Sequence, residues 1–337
     1  MTAALYPAVS RAVYALTALR VPDLLADGPL TLPEIAEKAG AQERPLRQVL
    51  RTAASTGLFR TTQPDTYELT DSGQHLCDGH PTFARDLVLT QGSPVFHASL
   101  GQIVDTLRTG RSGVDLTGSG DLFAYYGSHP EEFASFGRMM TAYLGDSPQA
   151  AARTYDFPGG GHVVDCGGGI GTQLRTVLEA HPGLTGTLFD LPAVIEQAPD
   201  PGLGERWTTA AGDFFQKVPG GGDFYLLSHI LHDWDDEQAI AILRNCADAG
   251  AAGARVVVLE EIIPSGDGPD PAKMLDVVLA SVFLGAERTV AEFEALFSAA
   301  GLTLSRVLPT GSTVTVIEAV ASGLSEGVAQ PTPSRTR

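Results

Sequence analysis

The sequence predicts an α/β protein, with a doubly wound, mostly parallel sheet in its C-terminal half and a helical, winged-helix region before it. Three observations carry this. From residue 161 onward, apolar runs at 163–166, 185–190, 222–227, 254–260 and 313–320 alternate with helical patterns, as strands joined by crossover helices do. The first run ends in Asp165-Cys166-Gly167-Gly168-Gly169-Ile170-Gly171, an acid followed by glycines where a strand gives way to a helix. Residues 31–70 read as helix, helix and two short strands, the order of a winged helix.

Taken in order, Leu5 to Leu25 has apolar residues at mixed three-to-four spacing, broken by Pro22. Thr31-Leu32-Pro33-Glu34-Ile35-Ala36 supplies an N-cap with Pro near the first helical position. Leu46, Val49, Leu50 and Ala53 then recur at helical spacing. Gly57–Arg60 and Tyr67–Thr70 read as strands around Gln63-Pro64-Asp65. Residues 84–156 read as helical, with aromatic and Met-bearing stretches at Phe96, His97, Tyr125 and Tyr126 and from Phe133 to Leu144. The expected divisions are 1–83, a winged-helix domain; 84–156, a helical linking and substrate-pocket region; 157–321, the sheet domain; and 322–337, a tail. That tail, rich in Ser, Gly, Pro and Thr, has little to bury and is expected to be disordered.

The chain of 337 residues, 43% hydrophobic and 18% charged, fits about two domains. No apolar run approaches the roughly 20 residues that span a bilayer. The start, Met1-Thr2-Ala3-Ala4-Leu5, lacks the basic and apolar regions of an export signal. Three separated cysteines (Cys77, Cys166, Cys246) form neither a disulfide framework nor a metal knuckle, which suits a reducing cytoplasm. A net charge of −18 works against nucleic acid as a partner. Arg44, Arg47 and Arg51 on the second winged-helix element invite a DNA-binding reading. Interspersed Glu34, Glu37 and Glu43, with Lys38 the only lysine of the domain, favour a dimerisation module instead.

The glycine run lets backbone approach a ligand that a Cβ would push away. A second acid, Asp190, ends the next apolar run nineteen residues beyond Gly171, where doubly wound folds hold a ribose diol. The dinucleotide fingerprint fails at Thr172, no Gly-Lys-Ser/Thr follows, and the loop carries an acid and no Lys. Those features suit a cationic nucleoside such as S-adenosylmethionine better than a pyrophosphate, although the loop also reads as a tight structural turn. Gly212-Asp213-Phe214-Phe215 sits on the same rim, either as an adenine contact or as a solvated acid beside core rings. His229 and His232, with acids nearby, read as metal ligands, as a catalytic imidazole or as packing. Their place at a strand-to-helix junction is against a ligand pair on one helical face. Trp234 is a stacking surface or a core plug. Glu260 and Glu287 read as supports for an imidazole or as ordinary surface charges.

Taken together, Asp165-Cys-Gly-Gly-Gly-Ile-Gly, Phe189-Asp190-Leu191-Pro192, Gly212-Asp213-Phe214-Phe215, His232-Asp233-Trp234-x-Asp236-Glu237, Glu260-x-x-x-Pro264 and Glu287-Arg288-Thr289-x-x-Glu292-Phe293 follow one another in that order. The ordered set resembles the S-adenosylmethionine-dependent O-methyltransferases of the plant caffeate/flavonoid type and their bacterial secondary-metabolism relatives, over about residues 10–320. The resemblance implies a Rossmann-like class I methyltransferase sheet, an N-terminal dimerisation domain, a homodimer with interlocking N-terminal helices, and no metal. Asp165, Gly167 and Gly169 would line the methionine portion of the cofactor, Asp190 the ribose, and Leu191 the underside of the adenine. Asp213 and Phe214 would contact the adenine, with Trp234 near it. Ser228 stands in the cofactor set where plant members usually carry Lys. His232 would be the general base, flanked by Glu260 and Glu287. Met140 would help clamp a small aromatic acceptor whose hydroxyl is methylated by direct transfer, and the aromatic-bearing helical stretches add His97 and Phe283 as pocket residues. The alternative keeps fold and cofactor but hydroxylates or cyclises, or methylates carbon or nitrogen.

Overall fold

A computed structural model describes residues 2–82, 84–120, 122–158 and 160–321, so the expected tail at 322–337 lies outside the described residues. The chain divides into two units, one ending at Gly145 and one beginning at Asp146. The region expected at 84–156 is thereby divided. Helices from Ala84–Gly92 to Pro130–Leu144 belong to the first unit, and the helix Ser147–Thr154 to the second.

In the first unit, helices Tyr6–Ala18, Leu32–Ala39 and Glu43–Ala54 pack with a three-stranded sheet. Its strands are β1 (Leu30–Thr31), β2 (Phe59–Gln63) and β3 (Thr66–Leu69), in the order β1-β3-β2. Leu16, Leu32, Ile35, Leu50, Phe59 and Tyr67 form its core. The start of the Leu32–Ala39 helix is fixed locally, because the backbone N–H and hydroxyl of Thr31 both donate to the Glu34 carboxylate. Such reciprocal caps stabilise a helix by about 1 kcal/mol. Arg47 is a fork onto Asp65 in the β2–β3 turn, Nε to Oδ1 at 2.9 Å and Nη2 to Oδ2 at 3.0 Å. This guanidinium of the winged helix is therefore committed to its own wing. Further along, Asp86 on the Ala84–Gly92 helix accepts from Ser135 and Arg138 on the Pro130–Leu144 helix, each at 2.8 Å.

In the second unit the strands are β4 (Gly161–Cys166), β5 (Leu184–Asp190), β6 (Trp207–Ala211), β7 (Phe224–Ser228), β8 (Arg255–Glu260), β9 (Leu302–Pro309) and β10 (Thr315–Ala321). They form one sheet in the order β6-β5-β4-β7-β8-β10-β9. The first five are mutually parallel, and β10 runs antiparallel to both β8 and β9. Alternate residues feed two cores. Val164, Tyr225, Leu227, Val256 and Val258 pack against helices Asp236–Ala249 and Val290–Ala299. Val163, Phe224, Leu226, Val257 and Leu259 pack on the other face with residues of Thr172–Ala180 and Ser147–Thr154. This is the doubly wound sheet expected, with β6 and β9 added at its two edges.

Of these, β9 was not anticipated and β6 only by its end before Gly212, for a physical reason. Edge strands are half solvated, so Trp-Thr-Thr-Ala-Ala in β6 and Leu-Thr-Leu-Ser-Arg-Val-Leu-Pro in β9 carry no strong apolar run. The β8-β10-β9 side is tied by Glu318, which is fully buried on β10. It accepts from Arg255 Nη1 at 2.9 Å, from Arg306 Nη2 at 2.7 Å and from the Tyr155 hydroxyl. Burial raises its pKa, and Arg306, Tyr155 and Arg255 outweigh that and hold the carboxylate ionised.

The chain runs outward from β4 to β6 and returns beside β4 at β7. The switch point of the sheet thus lies between β4 and β7, where ligands of such folds sit at the carboxyl ends of the strands.

Candidate active site

The glycine loop follows β4 and is built from left-handed backbone. Gly167, Gly169 and Gly171 have φ of +73°, +60° and +84°, which residues with a Cβ adopt only with strain. A Cβ on Gly167 would meet Ile230, and one on Gly171 would meet Trp207. A Cβ on Gly169 would meet nothing within 4 Å. Gly169 is therefore held glycine by its backbone, and its outer side is open room.

Asp190, at the end of β5, is joined to this loop. Its Oδ2 accepts the Gly169 N–H at 2.8 Å and its Oδ1 the Leu191 N–H at 2.7 Å. Each oxygen keeps a further lone pair for a donor. Leu191 stands 54% exposed beside it. Asp165, expected to line the methionine portion of the cofactor, lies under this loop. It is fully buried beneath Gly168, where a Cβ would come within 2.5 Å of Asp165 Oδ2, and the backbone of Leu174 only partly offsets its desolvation. Burial pushes its pKa up to about 7.

After β6, Asp213 folds its carboxylate onto its own turn, accepting Phe215 N–H at 2.9 Å and Gln216 Nε2 at 3.1 Å. Phe214 and Phe215 meet Trp234 edge-on, with ring centroids at 6.0 and 4.7 Å. The loops after β6 and β7 are thus one aromatic cluster. Asn245 Nδ2 donates to Phe214 O at 2.7 Å and holds that end of it, a contact not foreseen from the sequence.

After β7 the chain turns sharply. Ser228 Oγ lies 3.3 Å from His229 Nδ1, and His229 takes a left-handed φ of +54°. A 3-10 turn, Leu231–Asp233, follows, and Asp235 caps the helix Asp236–Ala249 through the Gln238 N–H. Because such a turn has no ladder, its main-chain groups need partners from elsewhere. Glu260 Oε1, at the end of β8, accepts the N–H groups of Leu231 at 2.6 Å and His232 at 3.2 Å. Ala286 N–H donates to His232 O at 2.9 Å. Arg288 donates to Leu231 O and to Trp234 O, each at 2.8 Å.

The imidazole of His232 is 7% exposed at the residue level. Its Nδ1 lies 3.0 Å from Glu287 Oε1, and its Nε2 lies 3.6 Å from Asp233 Oδ1. In the neutral ring the Nδ1 contact keeps the proton there and leaves Nε2 to accept one from another group. Burial would lower the imidazole pKa, but Asp233, Glu287 and Glu260 together raise it to about 10. The two glutamates are thus unlike. Glu287 touches the ring, whereas Glu260 holds the backbone of the turn, and burial raises its pKa to about 7. His229, 5.7 Å from His232 between ring centroids, is driven by burial and by the neighbouring imidazole down to about 3.

Loop 285–288 fits the turn closely, since a Cβ on Gly285 would lie 1.9 Å from His232 O. Neither Gly285 nor Arg288 was assigned a role from sequence. The only signal was the Glu287-Arg288-Thr289 string before a capping box at Thr289 and Glu292. Phe283, half-buried, ends the preceding helix Pro271–Val282. Met140 and His97 lie in the first unit. Met140 is half-buried on Pro130–Leu144, and His97 is exposed on Pro94–Gly101 beside a groove of about 590 Å³ with Tyr6, Arg11 and Gln91. Among the described residues, no three of His, Cys, Asp and Glu are grouped to hold a metal ion.

Residues 99–303 match a family model described as an O-methyltransferase domain, and residues 1–78 match one described as an O-methyltransferase dimerisation domain. The chain is 37% identical over 316 residues to the phenazine O-methyltransferase PhzM of Lysobacter antibioticus, covering 92% of each protein. The solved structure of the mitomycin 7-O-methyltransferase MmcR is similar with a TM-score of 0.85 and 32% identity, over 95% of this chain and 96% of that one. That of NcsB1, an O-methyltransferase from neocarzinostatin biosynthesis bound to S-adenosylmethionine and 2-hydroxy-5-methyl naphthoic acid, has a TM-score of 0.79 and 35% identity, over 93% of this chain and 95% of that one.

Proposed function

The chain belongs to the O-methyltransferase family with an N-terminal dimerisation domain, and from that premise we propose that it methylates a hydroxyl of a small aromatic secondary metabolite with S-adenosylmethionine, His232 acting as general base. The observation that carries the cofactor is the left-handed glycine loop, open outside Gly169 and bordered by Asp190. No lysine lies in that loop. Such a donor set suits a ligand with cationic groups and no phosphate. The sulfonium of the bound cofactor supplies the electrophilic methyl group.

This chain's residues supply the rest. Gly167 and Gly169 admit the methionine portion with main chain, and Asp165 supports them from below. Asp190 takes the ribose hydroxyls, Leu191 lies under the adenine, and Asp213 and Phe214 meet it beside Trp234. Ser228 faces the same rim at the end of β7. His232 Nε2 removes the acceptor proton, and Glu287 stabilises the imidazolium that results. A phenol ordinarily titrates near pH 10, and the carboxylates that raise the imidazole pKa make His232 a stronger acceptor for its proton. Met140 is assigned to the acceptor by the family resemblance, His97 and Phe283 by the aromatic character of the stretches that carry them, and the protein to a homodimer by its dimerisation domain. Its three free thiols fit the cytoplasm.

Incubation with methyl-labelled cofactor and 2-hydroxy-5-methyl naphthoic acid as probe acceptor is expected to place the label on the product oxygen, read by mass spectrometry. A hydroxylated or cyclised product without label would replace the proposal with the non-methylating alternative. The cofactor assignment is checked separately by titration calorimetry with S-adenosylhomocysteine. Gly169→Ala is expected to weaken that binding by roughly tenfold or more, because the added methyl enters the open side and an αL residue with a Cβ is strained by about 1–3 kcal/mol. An unchanged affinity would place the ligand elsewhere.

A further inference from the structure

Arg288 lies outside the reaction as proposed, yet it is 2% exposed and directs most of its guanidinium onto one short segment, with a longer contact of 3.5 Å to Ala286 O. Nη1 donates to Leu231 O at 2.8 Å, and Nη2 to Trp234 O at 2.8 Å. Nε and Nη2 reach Asp236 Oδ1 at 3.2 and 3.0 Å. The carbonyl oxygens on either side of His232-Asp233 are therefore gripped by one rigid fork, which Lys, a point donor on a flexible stem, does not reproduce. The backbone of Arg288 is fixed in turn, since its carbonyl accepts Ile263 N–H at 3.1 Å. The preceding residue, Glu287, meets the His232 ring and donates its own N–H to Asp276 Oδ1 at 3.0 Å. The chain from 286 to 288 thus holds the turn at three carbonyls and one ring nitrogen.

We infer that Arg288 is a positioning residue that sets the His232 ring against Glu287 and the Trp234 ring against Phe214 and Phe215, so that the base side and the cofactor side of the site share one register. The inference rests on the proposed role of His232 for its meaning in catalysis, but not for its test. The Asp236 carboxylate, whose side chain is 75% exposed, is a surface end of the grip and not its working part. An amide at 236 keeps an oxygen that can accept from Nε and Nη2.

The test uses the full chain carrying histidine labelled at Cε1, with the His232 resonance identified by its loss in His232→Ala. The groups facing that ring are Asp233, Glu287, Glu260 and His229. Arg288 is not among them but acts on Glu260 by charge, so the variant that keeps the charge is the one whose titration reports geometry. In Arg288→Lys the charge is kept and the fork is lost. The His232 midpoint is then expected to fall by about one pH unit or more as the Glu287 contact loosens, and S-adenosylhomocysteine is expected to bind several-fold more weakly through Trp234. Arg288→Gln, which keeps a planar donor group without charge, is the second variant should the lysine protein fail to fold; because Arg288 acts on Glu260 by charge, it is read by S-adenosylhomocysteine binding, expected to weaken several-fold through Trp234. Asp236→Asn is expected to leave both readouts as in the wild type. A wild-type midpoint in a folded Arg288→Lys protein, wild-type binding in a folded Arg288→Gln protein, or an Asp236→Asn protein that reproduces the shift, overturns the inference. Retained turnover in His232→Ala overturns the base assignment instead and leaves the positioning result standing.

Discussion

Replacing His232 with alanine is expected to lower turnover by about 10²–10⁴-fold, the range lost with a general base, while S-adenosylhomocysteine binds as before. The cofactor-facing groups assigned above sit on the glycine loop, on Asp190 and on the aromatic cluster, and none of them hydrogen-bonds the imidazole. Alanine also strips Glu287 of its ring partner, leaving a buried carboxylate unpaired. His232→Gln, which can still donate to Glu287, separates that stability cost from the loss of the base. Turnover within a few-fold of wild type in both variants would remove His232 from the mechanism.

The pH dependence has a definite sign. With the imidazole raised to about 10, the resting enzyme carries an imidazolium at neutral pH, and one proton must leave the imidazole–phenol pair before transfer. Activity is therefore expected to rise with pH above neutrality. Glu287→Gln removes an anion that raises the imidazole pKa, so the rising limb moves to lower pH. The same raised pKa acts on stability. The imidazolium stabilises the folded chain fully below about pH 6.5, the ordinary value, and this contribution is lost as pH rises through about 10. The difference in melting temperature between wild type and His232→Ala is expected to shrink across that window. A limb that moves upward in Glu287→Gln would contradict the contact.

Gly285→Ala carries the second large effect. The added carbon would lie 1.9 Å from His232 O and 2.9 Å from Asp233 backbone atoms, and main chain cannot swing aside as a flexible side chain can. Gly285 has no left-handed φ, so the requirement is for space alone. Relief requires loop 285–288 to withdraw, which lengthens the Ala286 N–H bond to His232 O and takes Glu287 and Arg288 with it. Turnover is expected to fall to near the level of His232→Ala, with the far-ultraviolet dichroism of the sheet domain retained. Gly169→Ala, with open room beyond its backbone, is expected to show the opposite pattern, with binding lost and fold kept. An active Gly285→Ala enzyme would mean that the close fit of the two loops is dispensable.

Much of this was legible because it is local. The strand ends, the glycine loop and the capped turns are written in runs of four to eight residues, where alternation and glycine placement carry the signal. The edge strand β9 was not legible and β6 only at its end, because half-solvated strands carry no such contrast. Neither was the depth of Asp165, which the quoted motif presents as part of the loop and the fold seals beneath Gly168. The glutamates show the same limit. Their sequence contexts are alike in giving an acid at a rim, yet Glu260 reaches two main-chain N–H groups and Glu287 reaches a ring nitrogen.

The sequence by itself determined the doubly wound sheet with its helical forepart, the family, and the identity of the residues that the strand ends present. Tertiary structure alone decided which of them meet. His232 and Glu287 are separated by 55 residues, and whether they touch depends on how β7, β8 and the 285–288 loop converge. Periodicity and turn chemistry act over one element and hold no information about that distance. The packing of Gly285 against His232 O, and the grip of Arg288 on two carbonyls, supply it.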